Sequence, residues 1–86
     1  MTESHDTRLK RLKIRSWRRG TREMDLILGP FADAELARLG EAELAAYEAL
    51  LEENDHDLYA WVSGTDAAAA AHAALIARIA AWHQIG

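Results

Sequence analysis

The sequence predicts an all-α fold, a compact five-helix antiparallel bundle in a single domain spanning residues 1–86. Apolar residues recur at spacings of three and four, the period of a helix with one buried face. Residues suited to starting or stopping helices stand between those stretches, at Ser4, Gly20, Thr21, Gly40, Asn54 and Gly64, and no stretch reads as a credible strand. A chain of 86 residues has room for only one core. At that size it buries about 60–65% of its unfolded surface.

Taken in order, the first helix runs from about Asp6 to Arg18, capped by Ser4 or Asp6, and residues 1–5 read as a flexible N-terminus. Leu9, Leu12 and Ser16 share its inner face, with Ile14 and Trp17 displaced from it. Basic residues crowd its last turn, where the helix dipole is negative. Gly20 follows, where a left-handed residue is wanted. A second helix restarts at Thr21 with Glu23 in its first turn, and Met24, Ile27, Leu28 and Phe31 form its buried stripe. Pro30 lacks a backbone donor and crowds the preceding turn, so a kink or short break is expected at Gly29-Pro30, with helix resuming to Leu39.

The third helix spans about Glu41 to Glu52, with Leu44, Tyr47, Leu50 and Leu51 inward. Asn54-Asp55 is a turn and cap signal for a short fourth helix, about Asp55 to Val62, which buries Leu58, Trp61 and Val62. After Ser63-Gly64 a fifth helix, capped by Thr65 or Asp66, reaches about Gln84. The run Ala67–Ala71 supplies it with helix propensity. Leu75, Ile79 and Trp82, joined by His72, Ile76 and His83, mark its packing side.

Composition narrows the function. There is no cysteine, hence no disulfide, thiolate site or thiol nucleophile. The N-terminus, with Glu3 and Asp6 and no apolar stretch, does not read as a signal peptide, and no run approaches the roughly 20 apolar residues of a membrane span, so a soluble, cytoplasmic protein is expected. The net charge of −4 conceals a division: residues 1–22 carry eight basic residues against two acidic, and residues 23–86 carry two against twelve. Either one end docks on something acidic, or the two ends attract each other.

No constellation supports catalysis or a metal. His72 and His83 are eleven residues apart, roughly 16 Å along one helix, and cannot share an ion. Asp55-His56-Asp57 reads as a cap with an exposed histidine. The chain is therefore expected to have no catalytic residue, no metal site and no cofactor of its own. Glu41, Glu43, Glu48, Glu52 and Glu53 read as a solvated acidic face. Phe31, Tyr47, Trp61 and Trp82 read as core, whereas Trp17 is expected to be part-exposed and stacked by a guanidinium.

The turn Arg19-Gly20-Thr21-Arg22-Glu23 remains. Its glycine permits a tight reversal and close approach by a partner, and its arginines suit carboxylates, phosphates or carbonyls. By spacing alone the architectural reading comes first: a glycine after one helix and an acid opening the next.

The surrounding residues change that balance. The stretch Arg11 to Asp25, with R-G-x-x-E at Arg19, Gly20 and Glu23, resembles the SdhE family of succinate dehydrogenase flavinylation and assembly factors. Pro30-Phe31 is similar to the family's following proline–aromatic pair, and Asp55-x-Asp57-Leu58-Tyr59-x-Trp61 to its later acidic–aromatic segment. The likeness runs from about Arg11 to Val62. Ala32 and Ala34 depart from some members, and the part beyond Ala67 matches only in being helical.

The resemblance implies a non-enzymatic, monomeric assembly factor. It would bind the flavoprotein subunit of succinate dehydrogenase, or in some bacteria that of fumarate reductase, and promote covalent attachment of the client's FAD. It also implies client contact through Arg19, Gly20 and Glu23, with Trp17, Arg22, Asp25 and Phe31 as neighbouring candidates. The rival reading is a regulatory nucleic-acid- or toxin-binding protein that uses the basic first helix. The acidic remainder argues against nucleic acid.

Overall fold

A computed structural model describes residues 3–84 as five α-helices and one 3-10 turn. In chain order these are α1 (His5–Trp17), α2 (Arg22–Glu35), the 3-10 turn Leu36–Arg38, α3 (Glu41–Leu51), α4 (Asp55–Ser63) and α5 (Ala73–Trp82). No strand occurs among the described residues. Three of the five starts are set by short polar side chains that accept from otherwise unpaired N–H groups. Ser4 Oγ accepts from Thr7 N at 3.1 Å, Thr21 Oγ1 from Met24 N at 3.3 Å and Asn54 Oδ1 from Asp57 N at 2.8 Å. At α3 the Gly40 N–H donates to Glu43 Oε1 at 3.3 Å, one half of a capping box. Gly64, at φ 82°, closes α4 in the left-handed conformation.

The five helices enclose one core in which Leu12, Met24, Leu28, Phe31, Leu36, Leu44, Tyr47, Leu50, Leu58 and Ile79 are wholly or almost wholly buried. Each such large side chain contributes roughly 1.5–3 kcal/mol by leaving water. Two hydroxyls lie among them. Ser16 donates to the Leu12 carbonyl at 2.7 Å, so the 2.6 Å contact with Tyr47 has the phenol as donor. Burial pushes the Tyr47 pKa up to about 12, against the smaller opposing pull of Ser16. The Tyr47 ring stacks on Phe31 at 6.1 Å, and Trp82 meets Phe31 edge-on at 5.9 Å. Trp82 is nonetheless 39% exposed, so it borders the core rather than filling it.

The charge division is resolved within the molecule. Arg8 and Arg11 of α1 both grip Glu48 of α3, Arg8 also reaches Glu41 at 2.7 Å, and Arg15 reaches Glu52 at 2.5 Å. The acidic face expected to be merely solvated is therefore the partner of the basic helix. Its remaining members are engaged too, Glu43 with Arg78 at 2.6 Å and Glu53 with His72 at 2.8 Å. The Arg11 and Arg8 guanidiniums hold the Glu48 carboxyl below the usual carboxylate range.

Two further expectations need correction. No break occurs at Gly29-Pro30: α2 passes through Pro30 to Glu35. Pro30 removes only one donor, and its buried neighbours Leu28, Gly29, Phe31 and Ala32 hold the helix against the core on both sides. The run Ala67–Ala71 is not helical, and α5 begins only at Ala73. There the N–H groups of Thr65 and Asp66 both turn back to the Ala60 carbonyl, at 2.9 and 3.2 Å, and His72 is tied to Glu53, so tertiary attachments override alanine's propensity. Of the N-terminal stretch, residues 3–5 are described. Glu3 pairs with Arg11 at 2.9 Å, Ser4 is the cap and His5 opens α1, while residues 1–2 lie outside the described residues.

Candidate partner-binding site

The turn between α1 and α2 is anchored by Arg19, whose side chain is only 10% exposed. Its Nη1 donates to the Leu51 carbonyl and its Nη2 to the Glu53 carbonyl, both at 2.6 Å, and its Nε donates to Asp55 Oδ1 at 2.7 Å. Those carbonyls lie at the C-terminal end of α3, where groups lack intrahelical partners and a cation is favoured. Asp55 opens α4, where an anion is favoured. One guanidinium thus joins the end of one helix to the start of the next. The Arg19 N–H donates to Asp25 Oδ1 at 2.6 Å, which fixes the turn to α2 as well.

Gly20 has a φ of 122°, and a Cβ there would stand 3.2 Å from Asp55 Oδ2. Glycine is required both by the backbone and by the carboxylate beside it. The chain then exposes Gly20, Thr21, Arg22 and Glu23 in succession. Beside them lies an open recess of about 310 Å³, lined by Thr21, Glu23, Asp55, His56 and Tyr59. Tyr59 is 48% exposed, and Glu23 forms no ion pair among the described residues. The recess offers a free carboxylate, a phenol and an imidazole, a set suited to hydrogen-bonding and packing against a protein partner.

The sequence-chosen residues are brought together unevenly. Gly20, Arg22 and Glu23 are exposed, whereas Arg19 and Asp25 are spent on internal bonds and Phe31 is wholly buried. Trp17 is 38% exposed as expected, but among the described residues no guanidinium stacks on it. Its ring lies on Gly29, where a Cβ would come within 2.3 Å of Trp17 Cδ2, and its Nε1 donates to Asp33 Oδ2 at 3.0 Å. The structure adds Asp55, His56 and Tyr59 to the site. Their sequence signal was the acidic–aromatic segment beginning at Asp55. His72 and His83 sit at opposite ends of α5, bonded to Glu53 and to the Ile27 carbonyl.

The recess does not suit FAD as a resident group. Glu23 and Asp55 would repel a pyrophosphate, and the glycine of this turn faces a carboxylate rather than an open cradle of N–H groups. On α1, Arg8, Arg11 and Arg15 are already paired with acidic side chains. No helix among the described residues is long and apolar enough to cross a membrane.

Comparison with known proteins identifies the family. The family model described as flavinator of succinate dehydrogenase matches residues 10–83. A FAD assembly factor SdhE of Legionella pneumophila (strain Lens) is 44% identical over 59 residues, covering 69% of this chain and 75% of that protein. The mitochondrial succinate dehydrogenase assembly factor 2 of Mycosarcoma maydis is 42% identical over 60 residues, 70% of this chain but 25% of the fungal protein. That of Candida glabrata is 43% identical over 63 residues, 73% of this chain and 41% of its own length. The chain thus spans only a minor part of the fungal relatives and most of the bacterial one. With its motif turn, its acidic–aromatic recess and a match over nearly its whole length, the chain belongs to the succinate dehydrogenase flavinator family.

Proposed function

We propose that this protein is an assembly factor that binds the flavoprotein subunit of succinate dehydrogenase and promotes covalent attachment of FAD to it. It acts as a binding partner and not as a catalyst. It works as a monomer in the cytoplasm, without nucleic acid, and takes the related fumarate reductase subunit as a second client where that enzyme is made. The carrying observation is the open recess at Gly20–Glu23, held rigid from behind by Arg19. A preorganised surface loses little freedom on docking, so its contacts count towards affinity. In this reading Gly20, Arg22, Glu23 and Trp17 meet the client, together with His56 and Tyr59 of the recess. Arg19 and Asp25 act from behind by fixing the turn, and Phe31 acts only through the core on which α2 rests. The factor's contribution is positional: it braces the client's flavin domain while the client forms its own bond.

The test is covalent flavin on the client, read by in-gel fluorescence in cells that lack the wild-type factor. Glu23→Ala leaves an exposed position and an intact fold, and is expected to lower the covalent flavin about tenfold, the effect of one strong interface contact. Gly20→Arg is expected to lower it further. Full flavinylation with both variants would refute the reading.

A further inference from the structure

The outer face of the α1–α2 seam is not used by the turn or the core. Ile14 is 57%, Trp17 38% and Leu26 51% exposed. Trp17 lies on Gly29, Ile14 stands one turn before Trp17 on α1, and Leu26 one turn before Gly29 on α2. The three apolar side chains therefore follow one another along the seam. Lys10, Lys13 and Arg18 of the α1 side and Arg22 of α2 accompany them. None of these four forms an ion pair among the described residues, in contrast to Arg8, Arg11, Arg15 and Arg19 on the other flank of α1. The basic helix is thus divided: one edge neutralises α3, and the other keeps its charge beside exposed apolar groups.

We infer that this face is a second docking surface for the client flavoprotein, contacting a patch of acidic side chains set around an apolar centre. The inference rests on the proposed function. It adds Lys10, Lys13, Ile14, Arg18 and Leu26 to an interface otherwise made of the turn, the recess and Trp17. Arg22 belongs to both surfaces, so the two are continuous. An apolar centre containing tryptophan within a charged rim is the usual composition of a protein interface. The free cations require an acidic counterpart. A lipid surface is the poorer fit, because three apolar side chains offer little to insert.

The experiment measures binding of the full chain to the purified apo-flavoprotein subunit at low and high salt. The variants are Lys10→Glu with Lys13→Glu, Ile14→Asp with Leu26→Asp, and Glu23→Ala, each checked by thermal melting. The lysine reversal is expected to weaken binding about tenfold at low salt, mostly through slower association, with the loss shrinking as salt is raised. The apolar pair is expected to weaken binding about tenfold at either salt concentration. Unchanged affinity of both patch variants beside a weakened Glu23→Ala would overturn this inference and leave the proposed function standing. No binding by the wild type would overturn both. Patch variants that lose phosphatidylserine vesicles or duplex DNA, while still binding the flavoprotein normally, would assign the face to lipid or nucleic acid and also overturn it.

Discussion

Two turns of this molecule contain a glycine at positive φ, and they are built in opposite ways. The α1–α2 turn is short and tied on every side: Arg19 is bonded to Asp25, Leu51, Glu53 and Asp55, and Gly20 stands against the Asp55 carboxylate. After α4, a Cβ added at Gly64 would meet nothing within 4 Å, and the chain takes eight residues, 65–72, to reach α5. Both turns converge on Glu53, whose carbonyl accepts from Arg19 and whose carboxylate contacts His72. The difference separates a glycine that ends a helix from one that shapes a surface. A residue common to both kinds of turn carries functional meaning only through what stands next to it.

The largest effect is expected where the first turn is anchored. Arg19→Ala leaves two carbonyls and a carboxylate without their donor in a part-buried site. It is expected to cost about 3 kcal/mol of unfolding free energy in a urea titration. Arg19→Lys keeps the charge but places its three donors on one nitrogen, which cannot span acceptors now reached from three separate guanidinium nitrogens, so about half that loss is expected. A loss below about 1 kcal/mol for the alanine variant would mean that the first turn is no better anchored than the second.

Legibility in the sequence followed the same division. Thr21, Asn54 and Gly64 were readable because a cap acts within three or four residues of itself, and the Met24–Leu28–Phe31 stripe because periodicity is local. The exposed turn was readable as a motif. The inward course of Arg19 was not, since its acceptors lie 32 to 36 residues away. Tyr59 and His56 joined the recess for the same long-range reason. The Ala67–Ala71 run misled because propensity is a weak bias, and the bonds of Thr65, Asp66 and His72 outweigh it. Trp17 misled differently: its partner is the missing side chain of Gly29, which no charge pattern announces.

The second turn can be probed with proline. Ala67 lies in the irregular segment, and its N–H donates to no backbone carbonyl among the described residues. Ala67→Pro is therefore expected to change stability by less than about 1 kcal/mol. Ala77→Pro, in the interior of α5, removes a helical bond and clashes with the preceding turn, at a cost of about 3 kcal/mol. Thermal melts of the two variants measure the contrast. Equal losses would show that helix extends through residue 67, and the distinction between the turns would weaken.

The smallest difference in stability, and the sharpest in function, is expected between the two glycines. Gly64 at φ 82° and ψ 9° is close to the left-handed helical region, with open space around it, so Gly64→Ala costs about 1 kcal/mol from backbone strain alone. Gly20 at φ 122° is well outside that region, and its new methyl would press on Asp55 at 3.2 Å, so Gly20→Ala costs about 1–2 kcal/mol. The two proteins therefore melt within a few degrees of each other. Their effects on client flavin should nevertheless diverge, because displacing Asp55 disturbs both the Arg19 anchor and the wall of the recess, whereas Gly64 borders neither. Gly64→Ala is expected to support full covalent flavinylation and Gly20→Ala to reduce it several-fold. If loss of flavin instead tracked melting temperature across both variants, stability alone would account for the motif glycine, and the first turn would have no claim to be the working surface.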